Sequence, residues 1–464
     1  MHQKIKIHFE VSERKVLLRV FDVLFVLAAL FMAGKVLNFD YLNLSSPPFY
    51  YVLLLALYLN FIGTVFEMYN LQVASNQFQI LKNTILTASV TVLFYLLTPI
   101  LAPQLPSKRL EIVVFYLSVL VALLGWRMFY VAFLASNRFV QNVILVCDKA
   151  QLEDLISGLE NADPHYRIIA YVNTEKTEDS AAEKDYVPNI KTEDLVSFVK
   201  EQAVFEIIIA SKNPEEISNL LSRNLIQLLE SGNTIREYAK VYEHKTQRIP
   251  VQFISKDFYR FFPFSRSNSN QLYLWGVILF EKLFSVLGLI ICTALIPFIL
   301  IGNAIGNRGK LFYTQERVGK NGRVFQIFKF RTMVSNAESG KAVFSNTSDH
   351  RVTFFGKFLR KTRLDEFPQF LNILIGDMAV IGPRPERPFF VKEISTIMPF
   401  YEIRHIIKPG LSGWAQVNYS YGESIEDSIV KLQYDLYYIK HRSIFLDINI
   451  IFKTLSTVLF YRGQ

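Results

Sequence analysis

The sequence predicts a membrane protein built from four N-terminal transmembrane helices, an open α/β domain, a fifth apolar segment and a mainly α domain. Three observations predict it. Four apolar runs of near membrane-spanning length fill the first third of a 464-residue chain that is 51% hydrophobic and 20% charged. Strand-like and helical runs then alternate over residues 139–250. The net charge of +9 falls entirely after residue 301, where 23 basic residues face 14 acidic ones, while residues 1–301 carry 27 of each sign. This composition excludes a disordered chain, and the length argues against one soluble domain. A basic excess confined to one region suits an anionic substrate and an anionic membrane face, and leaves no nucleic acid among the expected partners.

The four runs cover residues 16–37, 49–68, 85–101 and 112–134. A bilayer core takes about 20 apolar residues in helical form. The first run is too long, and too many follow it, for a cleaved signal peptide. Lys4, Lys6, Arg14, Lys15 and Arg19 precede or open the first span, and loop 38–48 has no Lys or Arg. Charge bias therefore sets the N-terminus in the cytoplasm, with only Lys108 and Arg109 in the third loop opposing it. Asp22 and Glu67 lie near span ends, where snorkelling or capping is expected. Cys147 and Cys292 sit in apolar runs as buried free thiols, which excludes a disulfide framework.

Beyond the fourth span, residues 142–147, 166–172 and 205–210 form short β-rich runs. Residues 149–159, 193–200 and 214–229 have a helical rhythm, and 174–185 form a polar, acidic loop. Alternation of this kind predicts an open α/β sheet. A dinucleotide-binding fold needs Gly-x-Gly-x-x-Gly after its first strand so that backbone can approach a pyrophosphate. The segment here, Val143-Ile-Leu-Val-Cys-Asp-Lys-Ala-Gln-Leu152, has no glycine, so a structural or regulatory role is expected.

Residues 273–301 form a fifth apolar stretch, with Glu281 and Lys282 near its start and Pro297 near its end. Its length permits a full span, which would place the basic domain outside the cell. A proline removes a helix hydrogen bond and kinks the helix. A helix broken at Pro297 could enter and leave by the same face, with Thr293 serving the freed carbonyls. The segment itself fits both readings; the residues that follow it favour re-entry.

In Phe325-Gln-Ile-Phe-Lys-Phe-Arg-Thr-Met333, Lys329 and Arg331 alternate with apolar residues, the pattern of a strand edge carrying cations. Residues 356–369 have a helical rhythm and contain Asp365-Glu366 just before Pro368. Adjacent carboxylates can divide two duties: one attacks phosphorus, the other helps hold a divalent metal. Arg360, Arg363 and Arg384 can neutralise phosphate oxygens through paired hydrogen bonds. Prolines on both sides of Arg384 fix its backbone and aim its guanidinium. Metal and fixed cations together stabilise a phosphoryl transition state. Singly, these fragments are ordinary: a surface ion-pair patch, a rigid turn, a structural His405 and a packing Trp414. Only their ordered combination is specific.

That order closely resembles the catalytic domain of bacterial polyprenyl-phosphate hexose-1-phosphate transferases. The matching motifs are Lys329-Phe-Arg-Thr-Met333, Leu364-Asp-Glu366, Gly376-Asp-Met378, Gly382-Pro-Arg-Pro-Glu-Arg-Pro388, Pro409-Gly-Leu-Ser-Gly-Trp-Ala-Gln-Val417 and Tyr434-Asp-Leu-Tyr-Tyr438. The resemblance implies transfer of a hexose 1-phosphate from a UDP-sugar to undecaprenyl phosphate, with release of UMP and with Mg²⁺ as cofactor. It implies Asp365 as the nucleophile, giving a phosphosugar-aspartyl intermediate, and Glu366 as an aid to Mg²⁺ binding. Lys329, Arg360 and Arg384 match the family's phosphate-binding cations. Arg331, Arg363, Asp377, Arg387 and Asp435 are candidates for substrate or structural roles. Pro297 matches the break of the family's re-entrant membrane helix, although Ile296 stands where many members have Ser.

The four helices and the middle domain resemble the long, polytopic members, whose middle domain is a degenerate Rossmann-like (nucleotide-binding-like) fold. The expected division is 1–138 transmembrane, 139–250 Rossmann-like, 251–272 linker, 273–301 re-entrant helix and 302–464 catalytic. The resemblance further implies the bacterial inner (cytoplasmic) membrane, with soluble and catalytic domains on its cytoplasmic face. The pathway would be the first membrane step of exopolysaccharide, capsule or O-antigen (lipopolysaccharide) synthesis. UDP-hexose, undecaprenyl phosphate and the lipid bilayer are the expected partners, and a homodimer is compatible with the middle domain. Glucose is the first expectation for the sugar and galactose the second. One rival is a membrane-bound nucleotide-sugar dehydratase or epimerase, which the missing glycine-rich loop opposes. The other is a non-catalytic scaffold, which the retained Asp365-Glu366 pair opposes.

Overall fold

The computed structural model describes residues 11–37, 49–69, 77–98, 101–106, 108–134, 140–163, 166–174, 187–202, 204–210, 217–251, 270–334, 349–419 and 424–459. The expected linker and the acidic loop 174–185 lie almost wholly outside them. The chain forms two compact units, Met1–Thr246 and Gln247–Gln464.

The first unit opens with helices α1 (Val11–Leu37), α2 (Phe49–Val65), α3 (Gln77–Leu97) and α4 (Arg109–Phe129). α1, α3 and α4 are long and apolar enough to cross a bilayer, and α2 is a shorter apolar helix of 17 residues. Leu30, Leu55, Val92, Tyr95, Phe115 and Val119 form their shared core. α3 begins at Gln77 rather than at residue 85. Polar residues with good helix propensity extend it, and hydropathy alone does not register them. Glu67 closes α2 in the left-handed conformation, with φ 55°. Asp22 neither snorkels nor caps. It is 1% exposed and pairs with Arg127 of α4 at 2.5 Å, and Arg127 also donates to the Met68 carbonyl at 2.9 Å. A carboxylate this deep requires such a partner, because burying a lone charge is prohibitive.

The same unit continues with β1 (Gln141–Cys147), α5 (Leu152–Glu160), β2 (Tyr166–Asn173), α6 (Leu195–Glu201), β3 (Glu206–Ile209), α7 (Asn219–Glu230), β4 (Thr234–Glu237) and α8 (Tyr238–Thr246). The four strands are parallel in the order β2-β1-β3-β4. β4 reads Thr-Ile-Arg-Glu, with no apolar run for a sequence reading to find. The chain is thus a membrane protein with an α/β domain. Ligands of such sheets bind outside the carboxyl ends of the strands, where the order reverses. Here Asp148 follows β1 at that place and accepts from Gln151 Nε2 at 3.1 Å and from the Thr174 hydroxyl. A carboxylate occupies the position at which a dinucleotide fold brings in a phosphate.

The second unit contains α9 (Gln271–Gly306), the antiparallel hairpin β5 (Phe312–Val318) and β6 (Val324–Phe330), α10 (Phe354–Lys361), α11 (Gln369–Ile375), β7 (Ala379–Ile381), α12 (Pro388–Ile397), β8 (Gly410–Ser412), α13 (Trp414–Asn418), α14 (Ile425–His441) and α15 (Ile444–Leu459). Ile327, Ile373, Met378, Trp414, Leu432 and Tyr438 lie in its core. Trp414 is a packing residue, 1% exposed, its indole donating to the Gln247 carbonyl. α9 runs from Gln271 to Gly306 with Pro297 inside it, so the expected interruption at Pro297 is not present in the hydrogen-bonded helix. Thr293 donates its hydroxyl to the Leu289 carbonyl at 2.8 Å, not to a carbonyl freed by the proline. A proline and a back-bonded threonine one turn apart are both devices that bend helices without ending them.

Candidate active site

The Asp365-Glu366 pair is presented by a sharp reversal. α10 starts at its cap Thr353, whose hydroxyl accepts from the Gly356 amide at 2.9 Å. It ends at Thr362, and Arg363 then takes the left-handed conformation, φ 58° and ψ 13°. A non-glycine residue there costs about 1–2 kcal/mol, a strain characteristic of functional sites. The reversal turns Leu364–Glu366 into one turn of 3₁₀ helix facing β6.

Four cations surround this turn. Glu366 Oε1 accepts from Lys329 Nζ at 3.3 Å and from Arg384 Nη2 at 3.2 Å, and Glu366 Oε2 lies 3.6 Å from Arg363 Nη1. Arg360 hydrogen-bonds the Thr332 hydroxyl at 3.0 Å and acts electrostatically on Asp365. Burial works against the Glu366 charge, but Lys329, Arg384 and Arg363 outweigh it and hold the carboxyl well below the usual range. Asp365 behaves in the opposite way. Burial first, and the Glu366 charge second, push its carboxyl up to about 6 against the pull of Lys329, Arg360 and Arg363. Its Oδ1 is buried and meets no hydrogen-bond donor among the described residues. One carboxylate is saturated by cations and the other is left bare, which is the division of labour a nucleophile requires.

The remaining candidates divide. Arg331 is buried and donates to the Lys310 and Asn307 carbonyls, so it closes the end of α9 instead of facing the carboxylates. The Asp377 amide caps α11 through the Asn372 carbonyl. No hydrogen bond or ion pair among the described residues joins its carboxylate to Glu366. Arg387 stands at the N-cap position of α12, and its charge acts on the partly buried Arg317. Asp435 is buried 2.8 Å from Arg404, not beside the pair. Pro297 lies in α9, as described above. His405 is a neutral, partly buried side chain whose basicity is lowered to about 3 by burial and by Arg404.

Sequence reasoning missed three residues. Asn372, fully buried, donates from Nδ2 to the Gln326 carbonyl at 2.7 Å and accepts the Phe328 amide at 3.0 Å. It fixes the height of β6, and so of Lys329, against α11. Arg317 and Arg404 hold the carbonyls of Pro385 and Arg384 at 3.0 and 2.9 Å. The only sequence signal for Asn372 was a lone amide inside the apolar run 370–375.

The motif glycines are explained by backbone contact. A Cβ on Gly410 would lie 2.1 Å from the Gly382 amide nitrogen, and one on Gly382 would lie 2.4 Å from the Lys408 carbonyl oxygen. Gly-Pro-Arg-Pro and Pro-Gly-Leu-Ser-Gly are therefore two halves of one packed element, joined by the pairing of β7 with β8.

Comparison with known proteins places the chain among sugar transferases. The model of the bacterial sugar transferase family matches residues 274–461, and that of a CoA-binding domain matches residues 64–223. The chain is 50% identical over 151 residues to the UDP-N-acetylgalactosamine-undecaprenyl-phosphate N-acetylgalactosaminephosphotransferase of Aeromonas hydrophila, covering 32% of this chain and 36% of that one. It is 36% identical over 170 residues to the UDP-glucose:undecaprenyl-phosphate glucose-1-phosphate transferase of Escherichia coli (strain K12), covering 36% of each. The chain thus spans little more than a third of the length of these two relatives. To the exopolysaccharide production protein ExoY of Sinorhizobium fredii it is 32% identical over 200 residues, covering 40% of this chain and 86% of that one. With that relative covered almost end to end and the family's pattern matched from α9 to α15, this chain belongs to the bacterial sugar transferase family.

Proposed function

We propose that this protein moves a hexose 1-phosphate from a UDP-sugar to undecaprenyl phosphate and releases UMP. The observation that carries the reading is the bare, buried Asp365 carboxylate beside a Glu366 held by Lys329, Arg384 and Arg363. Asp365 attacks the sugar-linked phosphorus. A bond forms from its carboxylate oxygen to phosphorus, and the bond from that phosphorus to the bridging diphosphate oxygen breaks. The electron pair leaves with UMP. An oxygen of undecaprenyl phosphate then attacks the phosphosugar-aspartyl phosphorus and returns the carboxylate. Lys329, Arg360 and Arg384 neutralise the phosphate oxygens as charge builds. The names of the relatives, which pair UDP-sugars with undecaprenyl phosphate, support this substrate class.

Asp365 would offer a divalent cation one hard oxygen ligand of the kind Mg²⁺ prefers, its Oδ1, with the substrate phosphates completing the set. Glu366 fits less well, since both its oxygens already meet cations. Bound there, Mg²⁺ would shield the charge of the diphosphate. The acid limb of the rate should follow Asp365. Its carboxyl is raised to about 6, so the nucleophilic form dominates above that pH and is lost tenfold per unit below it. At limiting Mg²⁺ the limb should lie near pH 6, and added Mg²⁺ should move it lower, because a cation favours the carboxylate. A limb that stayed fixed as Mg²⁺ rose would remove the metal from Asp365.

For placement, we take residues 1–138, 139–250 and 302–464 as membrane, α/β and catalytic domains at the cytoplasmic face of the bacterial inner membrane. α9 is read as re-entrant. A helix of its 36 residues is about 54 Å long, well beyond a bilayer core of about 30 Å. The catalytic unit grips it near both ends. Tyr273 donates to Asp447 at 2.5 Å and Gly288 faces Phe370, while Gly302 and Gly306 face Phe355 and Asn307 donates to the Arg331 carbonyl. A straight span would draw that unit into lipid. Phe354 and Phe358 are exposed on α10 beside Lys357 and Lys361, the composition of a helix lying at a membrane surface.

The test is UMP release by the full-length protein in membranes, with undecaprenyl phosphate, Mg²⁺ and UDP-glucose, UDP-galactose or UDP-N-acetylgalactosamine in turn. Release with one of these is expected, and silence with all three would sink the reading. A tag after Gln464 should be accessible only from the cytoplasmic side; periplasmic labelling would exclude re-entry.

A further inference from the structure

The turn carrying Arg384 is strapped at four successive carbonyls. Pro383 accepts from the Gly410 amide at 2.9 Å, Arg384 from Arg404 Nη2 at 2.9 Å, Pro385 from Arg317 Nη1 at 3.0 Å and Glu386 from the Val318 amide at 2.9 Å. The two prolines fix φ on either side of Arg384, and Pro385 confines its ψ to about +120 to +160°. The prolines leave the φ of Arg384 itself free, and that φ together with the confined ψ directs the carbonyl that Arg404 holds.

Arg404 is 4% exposed, and the Nη2 that holds this carbonyl also donates to Asp435 Oδ2 at 2.8 Å, while Nη1 reaches the Tyr401 hydroxyl. We propose that Arg404 is a positioning residue for the transfer: anchored by Asp435 of α14, it fixes the Arg384 backbone and thereby holds the Arg384 guanidinium on Glu366, beside the attacking carboxylate. The inference rests on the transferase reading above. A buried ion pair gains little stability over well-packed apolar side chains, so the value of this one lies in the geometry it imposes. The span from Asp435 to Glu366 contains only short, directional contacts: a salt bridge, a carbonyl bond and the 3.2 Å bond from Arg384 to Glu366.

The experiment is a double-mutant cycle on the full-length protein in nanodiscs, measuring UMP release with the three UDP-sugars above. Arg404→Lys keeps the charge opposite Asp435 but loses the planar fork. It should lower kcat about 10- to 100-fold with KM changed less than about threefold, the size of effect a small misplacement of a catalytic group produces. In an Arg384→Ala background the same change should cost less than about threefold, because the group it positions is gone. The paired variant Arg404→Met with Asp435→Leu removes both charges together. It should retain the wild-type melting temperature while showing the same kcat loss. Equal losses in both backgrounds, or a paired variant with wild-type kcat, would overturn the positioning role while leaving the transferase reading intact. A wild-type protein that releases no UMP overturns that reading, and this inference with it.

Discussion

Asp365→Asn is expected to lower UMP release by about 10⁴-fold or more, the scale seen when a covalent nucleophile is removed while its surroundings remain. The amide keeps the shape of the carboxyl, and Lys329, Arg384 and Arg363 keep their partner Glu366. The phosphate-binding cluster should therefore survive. Stability should move in the other direction from activity. Folding raises the Asp365 carboxyl to about 6, above its unfolded value, so ionisation at neutral pH is disfavoured by the fold. A neutral amide lifts that burden, and the melting temperature should stay level or rise. Activity lost together with the fold would mean that the dyad is a structural ion-pair patch, and activity retained would remove Asp365 as nucleophile.

Gly410→Ala should be among the most damaging changes of a single small group in the catalytic unit. Its methyl would lie 2.1 Å from the Gly382 nitrogen, 2.4 Å from the Ser412 carbonyl oxygen and 2.7 Å from the Gly382 Cα. All three are backbone atoms, so no flexible side chain can move aside. β7 and β8 would have to separate, at a cost of about 3 kcal/mol or more, the range of severe overpacking. Because Gly382 leads directly into Pro383 and Arg384, the separation also moves the guanidinium that meets Glu366. Thermal melting of the purified protein checks the first effect and UMP release the second. Gly322→Ala is the control for steric crowding: a Cβ there meets nothing within 4 Å, although its φ of 75° adds some backbone strain. A melting temperature for Gly410→Ala no lower than that of the control would show that the two strands can part freely.

The cluster of carboxylates and cations was legible in the sequence where it is local. Asp365 and Glu366 are adjacent, Arg363 is three residues from Glu366, and prolines flank Arg384; such spacings set geometry whatever the tertiary fold. Lys329 was legible as a cation on a strand edge because period-two alternation marks β6. What joins these pieces was not legible. Asn372 bonds residues 44 and 46 positions away, and Arg404 reaches Asp435 across 31. No local pattern encodes a partner at such distances. Arg331 shows the converse, since a strand-edge arginine beside Lys329 invites a phosphate role, yet its neighbours turn it toward the end of α9. Hydropathy likewise found the apolar helices but misread Asp22, because a charge near a span end and a charge paired across the bundle look alike in one dimension.

The Asp22–Arg127 pair has a consequence for biogenesis. The partners lie 105 residues apart, on the first and the last of the four N-terminal helices. At about 5–20 residues per second of synthesis, α1 waits on the order of 5–20 s before the arginine of α4 exists. During that interval the carboxylate of α1 lacks the Arg127 it pairs with, and an aspartate deep in a helix resists insertion by about 2.5–3.5 kcal/mol. α1 is therefore expected to settle in its final place only after α4 has been made. Truncation between the two, or loss of Arg127 alone, should be felt first at the translocon and in degradation of the nascent chain, long before any sugar is transferred.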